Sequence, residues 1–345
     1  MWAVGGPAPS GSPQRELTGL RARQVTWRVD GHGWAQFELD GRSEEAVEVV
    51  ELESDLWIWR DGVLLFRGRV TSGFDEVDEN RHRVQFTAKD YRGMLAHRYV
   101  GEAGAEYVGV DQGQIAWDLI DQSQQRDGGD WGVTDGVGST SGTLRDRTGI
   151  LPGTQVLGLV ESLGRVSGGF EWDISPELAL RRWYPTRGTY TGVVLDWGGT
   201  IARFQRTITA EQFSSAPMAT GGEGTVPVVA EAVDVDTDPR GRWELARSYP
   251  SITNQSTLDA RAPWLLDQLG VLRPQHQLVF TQGRWDGPDH VWIGDTVALS
   301  LRSGRLAVDG AHRVLELGVV LDDSGRETVT AGVHAGIEPE PEEGS

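Results

Sequence analysis

The sequence predicts a mainly β protein with an α+β insertion: two related small antiparallel β-barrels flanking a smaller α/β middle region. Three observations carry this expectation. Apolar and polar residues alternate with period two through residues 20 to 100 and again from His276 to Val333. Between them lie helix-periodic segments and Gly/Ser/Asp-rich loops. Finally, one strand-turn-strand pattern occurs near each end. In the first copy Asp55 opens Leu56-Trp57-Ile58-Trp59, the chain turns at Asp61-Gly62, returns through Phe66 to Gly68, and ends in Val84 to Ala88. In the second, Asp295 opens Val297 to Leu301, the turn is Ser303-Gly304, the return passes Val308 to Gly310, and Glu327 to Ala331 ends the pattern. In both copies an acidic turn precedes the last strand, and the turn glycine and the second glycine are six residues apart. Repetition builds symmetry, which scaffolds use and catalysis seldom requires.

The elements follow in order. Residues 1–18 are Gly/Pro/Ser-rich and lack the basic and apolar segments of a signal peptide, so they read as a flexible or strand-exchanging arm. Residues 19–100 hold the first barrel. Val25, Trp27 and Val29 alternate, then Ala35, Phe37 and Leu39, and Val47 and Val49 continue the alternation. Asp61-Gly62 is the strongest hairpin signal, because a type I′ turn needs positive φ at both central residues. Asp90 to Leu95 reads as a short helix or turn closing one end.

Residues 101–250 form the α/β insertion. Asp111 and Gln114 fit a capping box ahead of Ile115, Ala116, Leu119 and Ile120. Thr154 caps a second helix bearing Val156, Leu159, Val160 and Leu163, stopped by Gly164, and strands through Trp172 and Leu180 follow. Residues 213 to 240 are rich in Ser, Gly, Pro and Asp and are expected to be exposed. Residues 251–334 hold a third helix, kinked or delayed by Pro263, and the second barrel. Residues 335–345 are a Pro/Glu-rich acidic tail, expected to be disordered.

Composition excludes several classes of function. There is no cysteine, hence no disulfide, thiolate metal site or cysteine nucleophile. No apolar run reaches the roughly 18 residues of a membrane span. The net charge is −19 and Lys89 is the only lysine, which opposes electrostatic binding to DNA or anionic membrane but suits a passage that DNA must traverse without sticking. No zincin motif, nucleophile elbow or phosphate-binding loop is present. Asp234, Asp236 and Asp238 open like a calcium loop, but Pro239 and Leu245 replace its glycine and glutamate. The sequence therefore predicts no enzyme, no catalytic or metal-binding residue and no cofactor. Fourteen tryptophans keep a glycan-binding module or glycoside hydrolase open as an alternative, although Trp27, Trp57, Trp59, Trp172 and Trp292 fall within strand alternation.

Leu65 to Val70, Val84 to Asp90 and Gly93-Met94-Leu95 resemble the first barrel of phage tail hub proteins. Ile293 to Val297, Gly310, Arg313-Val314 and Gly325 to Val329 resemble the second. The similarity is strongest to the baseplate hub, or minor tail, proteins of long-tailed actinobacteriophages, with the spike hubs of contractile injection systems more distant. It spans residues 20 to 100 and 255 to 334. The resemblance implies a homotrimer in the virion, at the tail tip, assembled in the host cytoplasm. Three chains would present six similar barrels to a six-fold tail tube or distal tail ring above and three-fold symmetry to tip or receptor-binding proteins below. Phage DNA would pass through the lumen without specific binding, and the chain would not insert into a membrane. A hexameric distal tail ring protein is a further alternative.

Overall fold

In a computed structural model of the chain, the alternating segments become strands of one large sheet. The structure describes residues 1–334 except 10, 167, 212, 232–238, 250–253 and 273. The acidic tail and the three aspartates of the imperfect calcium loop lie outside the described residues. By internal contacts the chain divides into two units: Met1–Phe204 with Gln277–Val333, and Gln205–His276.

The first unit opens with β1 (Trp2–Gly5), β2 (Pro13–Glu16), β3 (Arg21–Arg28), β4 (Trp34–Asp40), helix α1 (Glu44–Glu48), β5 (Asp55–Arg60), β6 (Val63–Val77) and β7 (His82–Asp90). The strands lie in the order β3-β4-β7-β6-β5-β1-β2, every adjacent pair antiparallel. The N-terminal segment, expected to be flexible, thus contains two strands of the sheet. Trp2, Ala3 and Val4 are buried, and Trp2 meets Phe37 edge-on at 6.0 Å. Its apolar triplet outweighs the surrounding glycine and proline. The alternation expected through Val47 and Val49 is instead one helical turn. Ser43 accepts from the Ala46 N–H, and Glu44 and Glu45 sit at the positive end of the helix.

Strand β6 is long because it changes neighbours. Val63 to Arg69 pair with β5, whereas Gly68 to Val77 pair with β7, with a bulge between Val70 and Ser72. At the turn before it, Asp61 (φ +49°) and Gly62 (φ +83°) take the left-handed geometry that a two-residue hairpin requires.

The chain then builds a second core from α2 (Tyr91–Met94), a 3-10 turn at Leu95–His97, β8 (Ala105–Asp111), α3 (Gln112–Gln124), β9 (Thr134–Asp135), β10 (Leu144–Ile150), α4 (Val156–Arg165), β11 (Glu171–Ile174) and β12 (Ala179–Trp183). Ile115, Ala116, Leu119 and Ile120 of α3 meet Val156, Val160 and Leu163 of α4 in this core, as their spacing predicts. Asp111 caps α3, accepting from Gly113 N–H at 2.8 Å. Helix α4 departs from expectation at its start. Gln155 holds the cap position without a side-chain bond, and the Thr154 hydroxyl instead donates to Leu151 O at 2.8 Å.

Two strands with no counterpart in the sequence reading follow, β13 (Tyr190–Asp196) and β14 (Ile201–Thr207). The second unit contains β15 (Ala216–Gly221), β16 (Val228–Val229), β17 (Glu244–Tyr249) and α5 (Gln255–Leu269), with Ala219, Leu258, Ala262 and Leu265 at its core. Residues 216–221, expected to be exposed, form the middle strand of its sheet, with Ala216, Pro217 and Ala219 buried. The first unit resumes along β18 (Gln275–Phe280) and continues through β19 (Thr296–Ser303), β20 (Leu306–Leu321) and β21 (Glu327–His334).

These late strands repeat the order of the early ones. β14-β18-β21-β20-β19-β13 follows the pattern of β3-β4-β7-β6-β5-β1, although β13 runs parallel to β19 whereas β1 is antiparallel to β5. The early set joins its first two strands by the short segment 29–33. The late set inserts residues 208–274 at that place.

Two separate barrels were expected, and here the structure differs. Among the described residues no ring of strands closes: both sets belong to one sheet that runs from β14 at one end to β2 at the other. The reason lies in β20. After pairing with β19 through Arg313 it continues against β3, Glu316 opposite Arg28 and Leu321 opposite Arg23. The edge that closure of the late set would need is taken by the early set.

Candidate functional site: the joint between the two strand sets

The joint is built from both ends of the chain. Along it Arg28 Nε donates to Glu316 Oε2 at 2.7 Å, and Val29 N–H donates to Leu315 O at 2.9 Å. Trp27 lies against Trp292 with ring centroids 4.9 Å apart, and its indole N–H donates to Leu65 O at 2.9 Å. Arg60 at the end of β5 pairs with Glu327 on β21 and stacks over Trp285 at 4.5 Å. Aromatic stacking and a satisfied indole make Trp27 the main apolar contact here.

Beside the joint lies a cavity of about 50 Å³ whose lining includes Trp27, Arg67, Asp90, Asp173, Arg181 and Trp292. It has room for little more than water. Asp90 caps α2 and accepts from the Gly33 and Gly93 N–H groups; burial nevertheless pushes its carboxyl up to about 7. Arg92 is buried by Trp172, donates to Val29 O and Trp172 O at 2.9 Å each, and is held below its ordinary value by that burial.

The residues of the duplicated pattern take different roles in the two copies. Asp55 has no exposed surface. It accepts from Arg69 Nε at 2.7 Å, Arg67 Nε at 3.2 Å and the Tyr91 hydroxyl at 2.8 Å. Burial and the Asp55 charge push the Tyr91 hydroxyl up to about 12. Burial pulls Arg69 down, but its bond to Asp55, the Asp55 charge and the Tyr91 hydroxyl together outweigh this and raise it. Asp295 instead is half-buried and, among the described residues, accepts only backbone N–H groups, from Trp292 at 2.8 Å and Thr189 at 3.1 Å.

The glycines differ in the same way. Gly62 and Gly304 sit at exposed turns with positive φ. Gly68 is packed so that a Cβ would fall 2.3 Å from Lys89 O, whereas Gly310 has open space and φ +109°. Phe66 and Val308 are buried strand residues, as are Ala88 and Ala331. The second hairpin is longer: Leu56 faces Gly68, but Gly310 faces Leu299. The structure therefore gathers Asp55, Phe66, Gly68 and Ala88 around β6, and Val308, Gly310 and Ala331 around β20, and gives the two aspartates different work.

Trp27, Trp57 and Trp172 are buried, and Trp59 and Trp292 are half-buried. Among the described residues no group of three or more His, Asp or Glu side chains is placed to hold a metal ion, and no helix is long and apolar enough to cross a membrane.

Solved structures share this architecture. The 43 kDa tail protein of prophage MuSo2 from Shewanella oneidensis superposes with a TM-score of 0.71 at 15% identity, over 96% of this chain and 97% of that one. The chain has the fold of a phage tail protein. A tail protein from Neisseria meningitidis MC58 gives 0.65 at 12% identity, over 96% of each chain. The Escherichia coli c3393 protein is a type VI secretion component described as structurally similar to the T4 tail proteins gp27 and gp5. It gives 0.55 at 9% identity, over 96% of this chain and 78% of that one. No protein-family model matches the sequence, and no curated protein does. The tail-protein fold is thus preserved where sequence similarity has nearly vanished.

Several residues of the joint were out of reach of sequence reasoning. Arg28 and Glu316 are 288 residues apart, and nothing in one sequence pairs them. Arg67 and Arg69 carried only part of a signal: counting outward from the turn at Asp61-Gly62 places Asp55 opposite Gly68, and it is the bulge between Ile58 and Trp59 that brings Asp55 opposite Arg69.

Proposed function

We propose that this chain is a non-enzymatic structural protein of a phage tail, acting as a homotrimeric hub at the tail tip. It adapts a six-fold tail tube or distal tail ring to three-fold tip or receptor-binding proteins and surrounds the channel through which DNA leaves. The observation that carries this reading is the repeated strand order, β3-β4-β7-β6-β5-β1 and β14-β18-β21-β20-β19-β13, within one chain of tail-protein fold. Three such chains offer six related strand sets, so one ring can meet a six-fold neighbour on one face and a three-fold neighbour on the other. The net charge of −19 supports a lumen that repels the DNA backbone.

Electron microscopy of the purified protein incubated with its tail tube tests the reading. Averaged end-on views are expected to show a three-fold ring capping the tube. A six-fold ring of six chains would assign the protein to a tube-matching ring instead.

A further inference from the structure

One of the differences between the two strand sets defines an interaction surface. In the late set the distal half of β20 has a neighbour on each edge, β21 on one and β3 on the other. In the early set β7 takes the corresponding edge of β6, and the loop before β5 covers the other edge as far as Val70, where Leu52 N–H donates to Val70 O at 2.8 Å. Beyond that, among the described residues, no strand pairs with Ser72–Val77 on this side. Counted back from the acidic turns, Ser72–Val77 correspond to Glu316–Leu321, the residues that β3 covers. The consequence shows in burial. Leu317, Gly318 and Val319 are buried, whereas Ser72–Val77 are exposed throughout, Phe74 at 55% and Val77 at 67%.

The missing neighbour has a counterpart at the other end of the sheet. β14 holds in the late set the position that β3 holds in the early one, and among the described residues its only strand neighbour in the sheet is β18. The charges match as well. β3 brings Arg28 to Glu316, while β14 carries Arg203 and Arg206 and the open stretch of β6 carries Asp75 and Glu76. An open edge bearing exposed Phe and Val is a template for strand addition.

We propose that Ser72–Val77 of β6 accept β14 of a second copy of this chain, antiparallel, repeating between chains the joint that β20 and β3 make within one. The contact is heterologous, so it generates a ring when its rotation closes. Resting on the three-fold reading, it closes after three chains, with within-chain and between-chain joints alternating around the ring.

The absence of cysteine permits a direct test. The full-length double variant Phe74→Cys/Arg203→Cys is treated with a short bismaleimide, with each single variant as control and thermal unfolding to confirm the fold. The expected product is covalently linked dimers and trimers from the double variant, with no trimers from either single variant. Arg203→Glu should raise the concentration for half-assembly about tenfold, and adding Glu76→Arg should restore it. A trimer by mass that forms no cross-link between these positions would overturn the edge pairing and leave the hub reading standing. A chain that remains monomeric at every concentration would overturn both. A ladder running past three chains would support the edge contact and overturn three-fold closure.

Discussion

Asp55 and Asp295 open the two copies of the pattern, yet replacing each by asparagine should have unequal effects. Among the described residues Asp55 is the sole carboxylate paired with Arg67 and Arg69, at 3.2 and 2.7 Å, and it also accepts from Tyr91. Asp55→Asn keeps the shape but removes the charge: its amide oxygen can still accept from one guanidinium group, while its NH2 points donors at the other. Removing one partner of a buried ion pair costs about 3–5 kcal/mol, because the other charge stays buried without compensation. Arg69 retains its bonds to Leu52 O at 2.9 Å and Tyr91 at 3.1 Å, which places the expectation near the lower end, about 3 kcal/mol. Asp295→Asn keeps an acceptor oxygen for the Trp292 N–H, and losing the remaining charge-assisted bond of this half-buried group costs about 1.5 kcal/mol. Urea unfolding followed by tryptophan fluorescence reads both variants, and the transition of the first unit is the one to compare. Equal losses, or a loss below about 1 kcal/mol for Asp55→Asn, would refute the buried-charge argument.

Four further outcomes follow from the geometry. Trp27→Ala should destabilise the first unit by about 3–5 kcal/mol, and Trp27→Phe, which keeps most of the stacking but loses the bond to Leu65 O, by about 1–2 kcal/mol, both read by denaturant midpoint. Gly68→Ala drives a methyl toward Lys89 O and should cost about 1–3 kcal/mol, whereas Gly62→Ala costs only the strain of its turn, about 1 kcal/mol. Asp90 is raised in the folded state to about 7 from its ordinary 3.8, so the folded chain holds a proton that the unfolded chain releases. Its contribution to stability is fully present below about pH 4 and is lost as pH rises toward about 7, and Asp90→Asn should flatten that part of the stability–pH curve. A curve for Asp90→Asn that parallels the wild type across this window would show that Asp90 does not titrate there.

The sequence made the local turns legible and left the long-range pairings dark. Asp61-Gly62 announces its hairpin because only a left-handed pair can make that turn, and Asp55, Phe66 and Ala88 fall where strand alternation puts them. Asp111 announces α3 because its carboxylate satisfies free N–H groups; burial pushes it up, but bonds from Ser141, Gly113 and Gly142 outweigh that and hold it below the usual range. The segment 44–48 misled, since Val47 and Val49 alternate like a strand while Ser43 supplies a helix cap. The joint stayed hidden for a different reason. Whether β20 folds back to close a barrel or runs on to meet β3 depends on an edge supplied some 290 residues away, and the local pattern is the same in either case. Equally hidden was the insertion of 208–274, which separates β14 from β18 and conceals that the late set begins before it.

The claim that most needs testing is that one chain carries two strand sets so that three chains make a ring. Multi-angle light scattering of the purified full-length protein across a concentration series measures this directly. The account predicts a mass that rises to, and stops at, three times the 37.7 kDa of the chain. A plateau at six chains, or a monomer unchanged at the highest concentration, would contradict it.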